Sequence, residues 1–195
     1  MNDYKIVGLD LSLTCSGYCV QTPHESWIGK VETKPNVFPT LRARVERIAK
    51  TLIKAIEYKM ETPTVTILEE PIVVSASNSL QLGAVAAIVR QVIYNATGLD
   101  PIEVPGSSLK LYTAASGQAK KEDMKLAAFK KHKQDFQNKT NDECDAFCLA
   151  MLGLDLLQIR PKRRTAYEEK AIKKIAKNAA FTIDSAMSKL KSISN

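Results

Sequence analysis

The chain has 195 residues, 45% of them hydrophobic, 25% charged and 6% aromatic, which excludes a disordered or fibrous chain and suits one globular domain with or without an appendage. No apolar run approaches the ~20 residues that cross a bilayer. The opening MNDYKIVGLDLS also lacks a basic head followed by a long apolar stretch, so the expectation is a cytoplasmic protein, neither secreted nor membrane-bound. The formal charge of +7 is unevenly placed: residues 1–157 carry 18 basic and 18 acidic side chains, residues 158–195 carry 10 and 3. A basic segment beside a neutral body predicts a polyanionic partner, usually nucleic acid, with a solvated helix face as the alternative.

YKIVGLDL at 4–11 is a short β-rich run carrying Asp10 near its end, and LTCSGYCVQ and SWIGKVET follow as two more strands. On such a strand Cys15 and Cys19 would hold their sulfurs about 13 Å apart, too far for one tetrahedral zinc ion. With Cys144 and Cys148 they read as small buried hydrophobes in a reducing compartment. Pro39 opens a helical pattern with Leu41, Val45, Ile48, Leu52, Ile53 and Ile56 on one stripe. TVTILEEP at 64–71 reads as a buried central strand that stops at Glu69, Glu70 and Pro71.

A helix from about Ser77 to Ala96 is apolar around more of its circumference than one core-facing stripe requires. It is therefore a candidate dimer interface, unless the sheet and the basic tail of its own chain sandwich it. PIEVP at 101–105 is a last strand, followed by weaker helical segments at 107–114 and 121–132 and a firm helix from about Asn141 to 157. The order βββαβαβα predicts an α/β fold, a mixed sheet with helices on its faces. RPKRR at 160–164 marks the start of a helical extension, 158–195, after a body of 1–157.

Carboxylates stand where apolar residues are expected. Asp10 ends the first strand, Glu69 and Glu70 end the central one, and Asp142 and Asp145 share a helix face with Leu149 and Leu152. Buried carboxylates are costly without partners, and hard divalent cations, which take oxygen ligands, are the usual remedy. Two such ions about 4 Å apart suit phosphodiester hydrolysis. The alternative is ordinary surface acids, with Asp142 a helix cap, since TNDE resembles a capping sequence.

VGLDLSLTCSGYCV resembles the opening strand and turn of RuvC-type Holliday-junction resolvases. ILEEP resembles their glutamate-bearing strand, SNSLQLGAVAAIV the following helix, VPGSSLKLYTAASGQAKKEDM the lysine-containing linker and helix start, and TNDECDAFCLAML the closing Asp-x-x-Asp-Ala helix. Together, in the family's order, these segments are more specific than any one of them. The resemblance implies an RNase H-like mixed five-stranded sheet with helices on both faces, to which the chain adds its basic helical extension. It also implies a homodimer that nicks two strands of a four-way DNA junction with Mg²⁺, or Mn²⁺ as a substitute, at two ions per site.

Carried over by motif, the metal ligands are Asp10, Glu69, Asp142 and Asp145. Glu69 is preferred to Glu70 because the family's glutamate directly follows an apolar pair. Lys121 joins the catalytic set, and Lys110, Lys120 and Lys121, with Arg160, Lys162, Arg163 and Arg164 of the extension, are the expected DNA contacts. Where bacterial members carry an aromatic soon after the glutamate, suited to stacking on a junction base, this chain has Ile72, a departure that bears on base stacking and sequence preference there; its longer basic tail points to a phage or other viral variant. Competing expectations are a broader branched-DNA, flap or RNA–DNA hybrid nuclease, and a non-catalytic DNA-binding module of the same fold.

Overall fold

The structure, a computed structural model, describes residues 3–57, 62–71, 76–159 and 163–192, and of 76–79 the backbone only. Arg160, Lys162 and Ile72 lie outside the described residues. The strands are β1 (Lys5–Asp10), β2 (Cys15–Gln21), β3 (Ser26–Glu32), β4 (Thr64–Glu69) and β5 (Ile102–Val104). The helices are α1 (Leu41–Glu57), α2 (Ala76–Thr97), α3 (Gly106–Ala114), α4 (Lys121–His132), α5 (Asn141–Leu156) and α6 (Ala166–Ser192). These are the elements and the chain order that the apolar patterning predicts.

The strands form one mixed sheet in the order β3-β2-β1-β4-β5, antiparallel from β3 to β1 and parallel from β1 to β5. Side chains alternate between its faces, and each face has its own core. Val7, Leu9, Val20 and Leu68 pack with Val45, Ile48 and Leu52 of α1 and Val85, Val89 and Ile93 of α2. On the other face Ile6, Cys19, Val65 and Ile67 pack with α5, whose Leu149 and Leu152 are fully buried.

Two glycines let α5 lie directly on the sheet. A Cβ on Gly17 would sit 2.8 Å from the backbone nitrogen of Glu143 and closer still to the Asp142 carbonyl. One on Gly8 would sit 2.7 Å from the nitrogen of Ala150 and would overlap the Ala146 carbonyl. Neither obstacle is a side chain that can swing aside, so Gly17→Ala is expected to destabilise the protein by about 3 kcal/mol, read as a drop in the urea midpoint at unchanged m-value.

The basic segment folds as α6, which buries Ala171, Ile172, Ile175, Ile183, Ala186 and Leu190. It packs against α3, β5 and α5, with one non-helical residue, Ala179, inside it. Lys170, Lys173, Lys174 and Lys177 are exposed, at the three- and four-residue spacing that puts them on one side of the helix. α6 reaches α2 at its C-terminal end, where Lys189 donates to the Thr97 carbonyl. Leu80 is 77% exposed, and Ala87, Ile88 and Tyr94 are also open. The alternative to a dimer interface, a sandwich of α2 between the sheet and the tail, is thus not formed at these positions.

Candidate active site

β1 and β4 are parallel neighbours whose Leu9 and Leu68 are in register, so the next residues, Asp10 and Glu69, leave the sheet side by side. Strand alternation aims both at α5. Glu70 points the other way and is exposed. From α5, Asp145 completes the group: one carboxylate oxygen from each of Asp10, Glu69 and Asp145 lies within 4.8 Å of the others. The fourth expected ligand, Asp142, stands beside this trio; its charge acts on Asp10, Glu69 and Asp145, and its carboxylate is bonded to the Cys15 thiol.

Asp142 is free for this role because another pair caps α5. The Thr140 hydroxyl accepts from the Glu143 amide at 3.2 Å, and the Glu143 carboxylate accepts from the Thr140 amide at 2.9 Å. This is a reciprocal capping box, with Glu143 and not Asp142 as its acid.

Burial and mutual repulsion leave the acids reluctant to ionise. Burial, then the charges of Glu69, Asp145 and Asp142, raise the Asp10 carboxyl well above the ordinary aspartate value. Burial and Asp145 push Glu69 to about 7 against the pull of Lys110. Burial and Asp142 push Asp145 to about 6, opposed by Lys110 and Lys121. Carboxylates perturbed by burial and by one another are the pattern of a functional site. The donors are all carboxylate oxygens from three separate elements, the set a hard divalent cation takes, and a cation would relieve their mutual repulsion. The site fits divalent metal binding.

Lys110 of α3 is half-buried, and Lys121, the first residue of α4, is exposed. Lys120 caps α4 and is exposed, as is Arg163, whereas Arg164 donates to the carbonyl of Asp155. Cys19, Cys144 and Cys148 are buried and Cys15 is part-buried; all four are free thiols. Sequence reasoning missed the Cys15 contact with Asp142 and the clearance at Gly8 and Gly17. A signal existed for the glycines: Gly8 is two residues before Asp10, and Gly17 is its cross-strand partner, so both share its face.

No protein-family model matches the sequence, and no curated protein is similar to it. Solved structures are. The chain superposes on Thermus thermophilus RuvC in complex with a Holliday junction substrate with a TM-score of 0.62 at 18% identity, covering 76% of this chain and 91% of that one. A second Thermus thermophilus RuvC structure gives 0.62 at 17%, covering 80% and 96%. The five-stranded mixed sheet with helices on both faces is thus the RNase H-like fold of RuvC. Among the described residues, no helix is long and apolar enough to cross a membrane.

Proposed function

We propose that this protein is a metal-dependent, structure-selective endonuclease that nicks opposed strands of four-way DNA junctions as a homodimer. The observation that carries the reading is the meeting of Asp10, Glu69 and Asp145 from β1, β4 and α5, in a fold shared with a RuvC solved on a Holliday junction. Asp10, Glu69, Asp142 and Asp145 would hold two Mg²⁺ ions, or Mn²⁺ in their place. Such ions, when bound, lower the pKa of water and offset charge on a phosphodiester.

The chain's own residues do the rest. Asp10, Glu69 and Asp145 must be ionised together, which their surroundings resist without cations. Lys110 and Lys121 bring positive charge beside the acids, where it offsets the charge that develops at the scissile phosphate. Lys120 and Arg163 are exposed, and with Arg160, Lys162 and Arg164 they remain the proposed DNA contacts. The exposed lysine row of α6 is a further candidate. Replacing Lys170, Lys173, Lys174 and Lys177 together by Gln should lower the salt slope of duplex binding by up to about 3.6, at roughly 0.9 per phosphate contact. An unchanged slope would make the row a solvated face.

A junction is close to two-fold symmetric and each chain has one acid cluster among its described residues, so two chains are required. The open apolar row of α2, Leu80, Ala87 and Ile88, suits an isologous contact. Sedimentation should show a dimer at micromolar concentration that Ala87→Arg converts to monomer. A wild-type monomer that stays monomeric on junction DNA would sink the dimer.

The test of the function is a supercoiled plasmid that extrudes a cruciform. Paired nicks within one binding event convert it directly to the linear form. Accumulation of nicked circles alone would mean a nuclease that does not coordinate two strands.

A further inference from the structure

Two acids outside the cluster are fully buried: Asp155 on α5 at 0% exposure and Glu168 on α6 at 1%. They belong to one polar chain. The buried Tyr112 of α3 donates from its hydroxyl to Asp155 Oδ2 at 2.6 Å. The carbonyl of Tyr112 accepts from Lys131 Nζ of α4, also at 2.6 Å, and the same ammonium lies 4.8 Å from the centre of the Tyr112 ring. Lys131 Nζ also pairs with Glu168 Oε1 at 3.0 Å. Glu168 Oε2 accepts from the Thr165 amide at 2.7 Å, and Thr165 Oγ1 accepts from the Glu168 amide at 3.3 Å. Four helices are therefore tied through Tyr112 and Lys131.

Apolar residues of similar volume in place of a buried ion pair are often neutral or stabilising, so what such a chain adds is the arrangement it specifies. The element with most to gain is α3. It has nine residues, too few for a helix to persist unaided, and it ends at Ala115 in the left-handed conformation. It also carries Lys110, whose charge acts on both Glu69 and Asp145. Residues two apart on a helix differ by about 200° in direction, so fixing Tyr112 on one side of α3 fixes where Lys110 points on the other. Tyr112 is held at both its hydroxyl and its carbonyl, which leaves α3 little freedom to rotate.

We propose that Tyr112, Lys131 and Glu168 are positioning residues that lock the rotation of α3 and hold Lys110 against the carboxylate cluster. The segment after Leu157 then sets the electrostatics of the active site through α3, in addition to any contact it makes with DNA. This rests on the reading of the cluster as a divalent-cation site.

Mn²⁺ affinity of the full-length protein, measured by calorimetry, is the first readout. Lys110→Met removes a like charge and should tighten Mn²⁺ binding by about tenfold. Lys131→Met should tighten it by a comparable factor, and the double variant should bind no tighter than Lys110→Met alone, because the two act through one charge. Lys131→Arg, which keeps a donor for Glu168 and Tyr112, should behave as wild type. Tyr112→Phe, which keeps the ring and removes only the hydroxyl, tests the same chain should Lys131→Met fold poorly.

The second readout needs no metal: reductive methylation of Lys110, followed by mass spectrometry, should speed up severalfold in Lys131→Met while Lys120 is unchanged. Equal labelling of Lys110 in the two proteins would overturn the proposal, as would fully multiplicative Mn²⁺ effects, which mean that Lys131 acts by its own charge. A wild type that binds no Mn²⁺ but shows the change in labelling would defeat the cation reading and leave the positioning role standing.

Discussion

Asp10→Asn is expected to lower Mg²⁺-dependent junction cleavage by about a thousandfold or more, while junction binding stays at or above the wild-type affinity. Asp10 sits where Glu69, Asp145 and Asp142 all act on it, so its amide removes an oxygen ligand from the centre of the cluster. Losing a metal that stabilises charge in the transition state costs several kcal/mol, which is the source of the magnitude. Binding follows the opposite logic. In the proposed reading the substitution takes one negative charge from a surface that meets phosphates, and leaves the cations of Lys110, Lys121 and α6 in place. Single-turnover cleavage and a junction gel shift in Ca²⁺ read the two quantities separately; full activity in the variant would defeat the assignment of Asp10.

The second large effect is on stability against pH in the metal-free protein. In the unfolded chain the acids titrate near 4, whereas in the fold Glu69 is raised to about 7, Asp145 to about 6, and Asp10 well above its ordinary value. Between those limits the folded protein holds more protons than the unfolded one, so its stability is greatest at the acid end and is lost as pH rises. From pH 5 to pH 8 the loss should be of the order of 3 kcal/mol, or roughly 6–12 °C in Tm for a chain of this length.

Lys5, which burial lowers to about 8, works in the opposite sense but only above that pH. Asp10→Asn should flatten the dependence and raise Tm at pH 8. Saturating Mn²⁺ should restore Tm at pH 8 and do little at pH 5, since cations bind the ionised carboxylates. A metal-free Tm that climbs steadily from pH 5 to pH 8 would contradict the like-charge cluster.

Much of this site is legible in the sequence because acids interrupt apolar runs at Asp10 and Glu69 and continue an apolar helix face at Asp142 and Asp145. The choice between Glu69 and Glu70 follows from strand alternation only once the face that carries α5 is known. The capping of α5 is a similar case: TNDE allows either acid as the cap, and the backbone geometry gives that role to Glu143. The lysine row of α6 lies in plain view at helical spacing.

What the sequence hides are relations between distant elements. Alternation puts Gly8 on the face of Asp10, but a strand glycine reads equally well as a bulge or a packing defect, so its use as the floor under α5 shows only once the helix is in place. Tyr112 meets Asp155 across 43 residues, and Lys131 meets Glu168 from a different helix. On their own helices these look like ordinary aromatic, basic and acidic positions; only the docking of α6 onto α3 makes them one chain.

One measurement tests the junction-nuclease reading most directly: cleavage of a synthetic four-way junction by the purified protein with Mg²⁺, beside linear duplex, flap and RNA–DNA hybrid substrates of the same sequence. The predicted result is rapid, paired nicking of the junction that disappears with a chelator and in Asp10→Asn, with the other substrates cut far more slowly. Equal cutting of all four substrates, or cutting of the junction that survives the chelator, would contradict it.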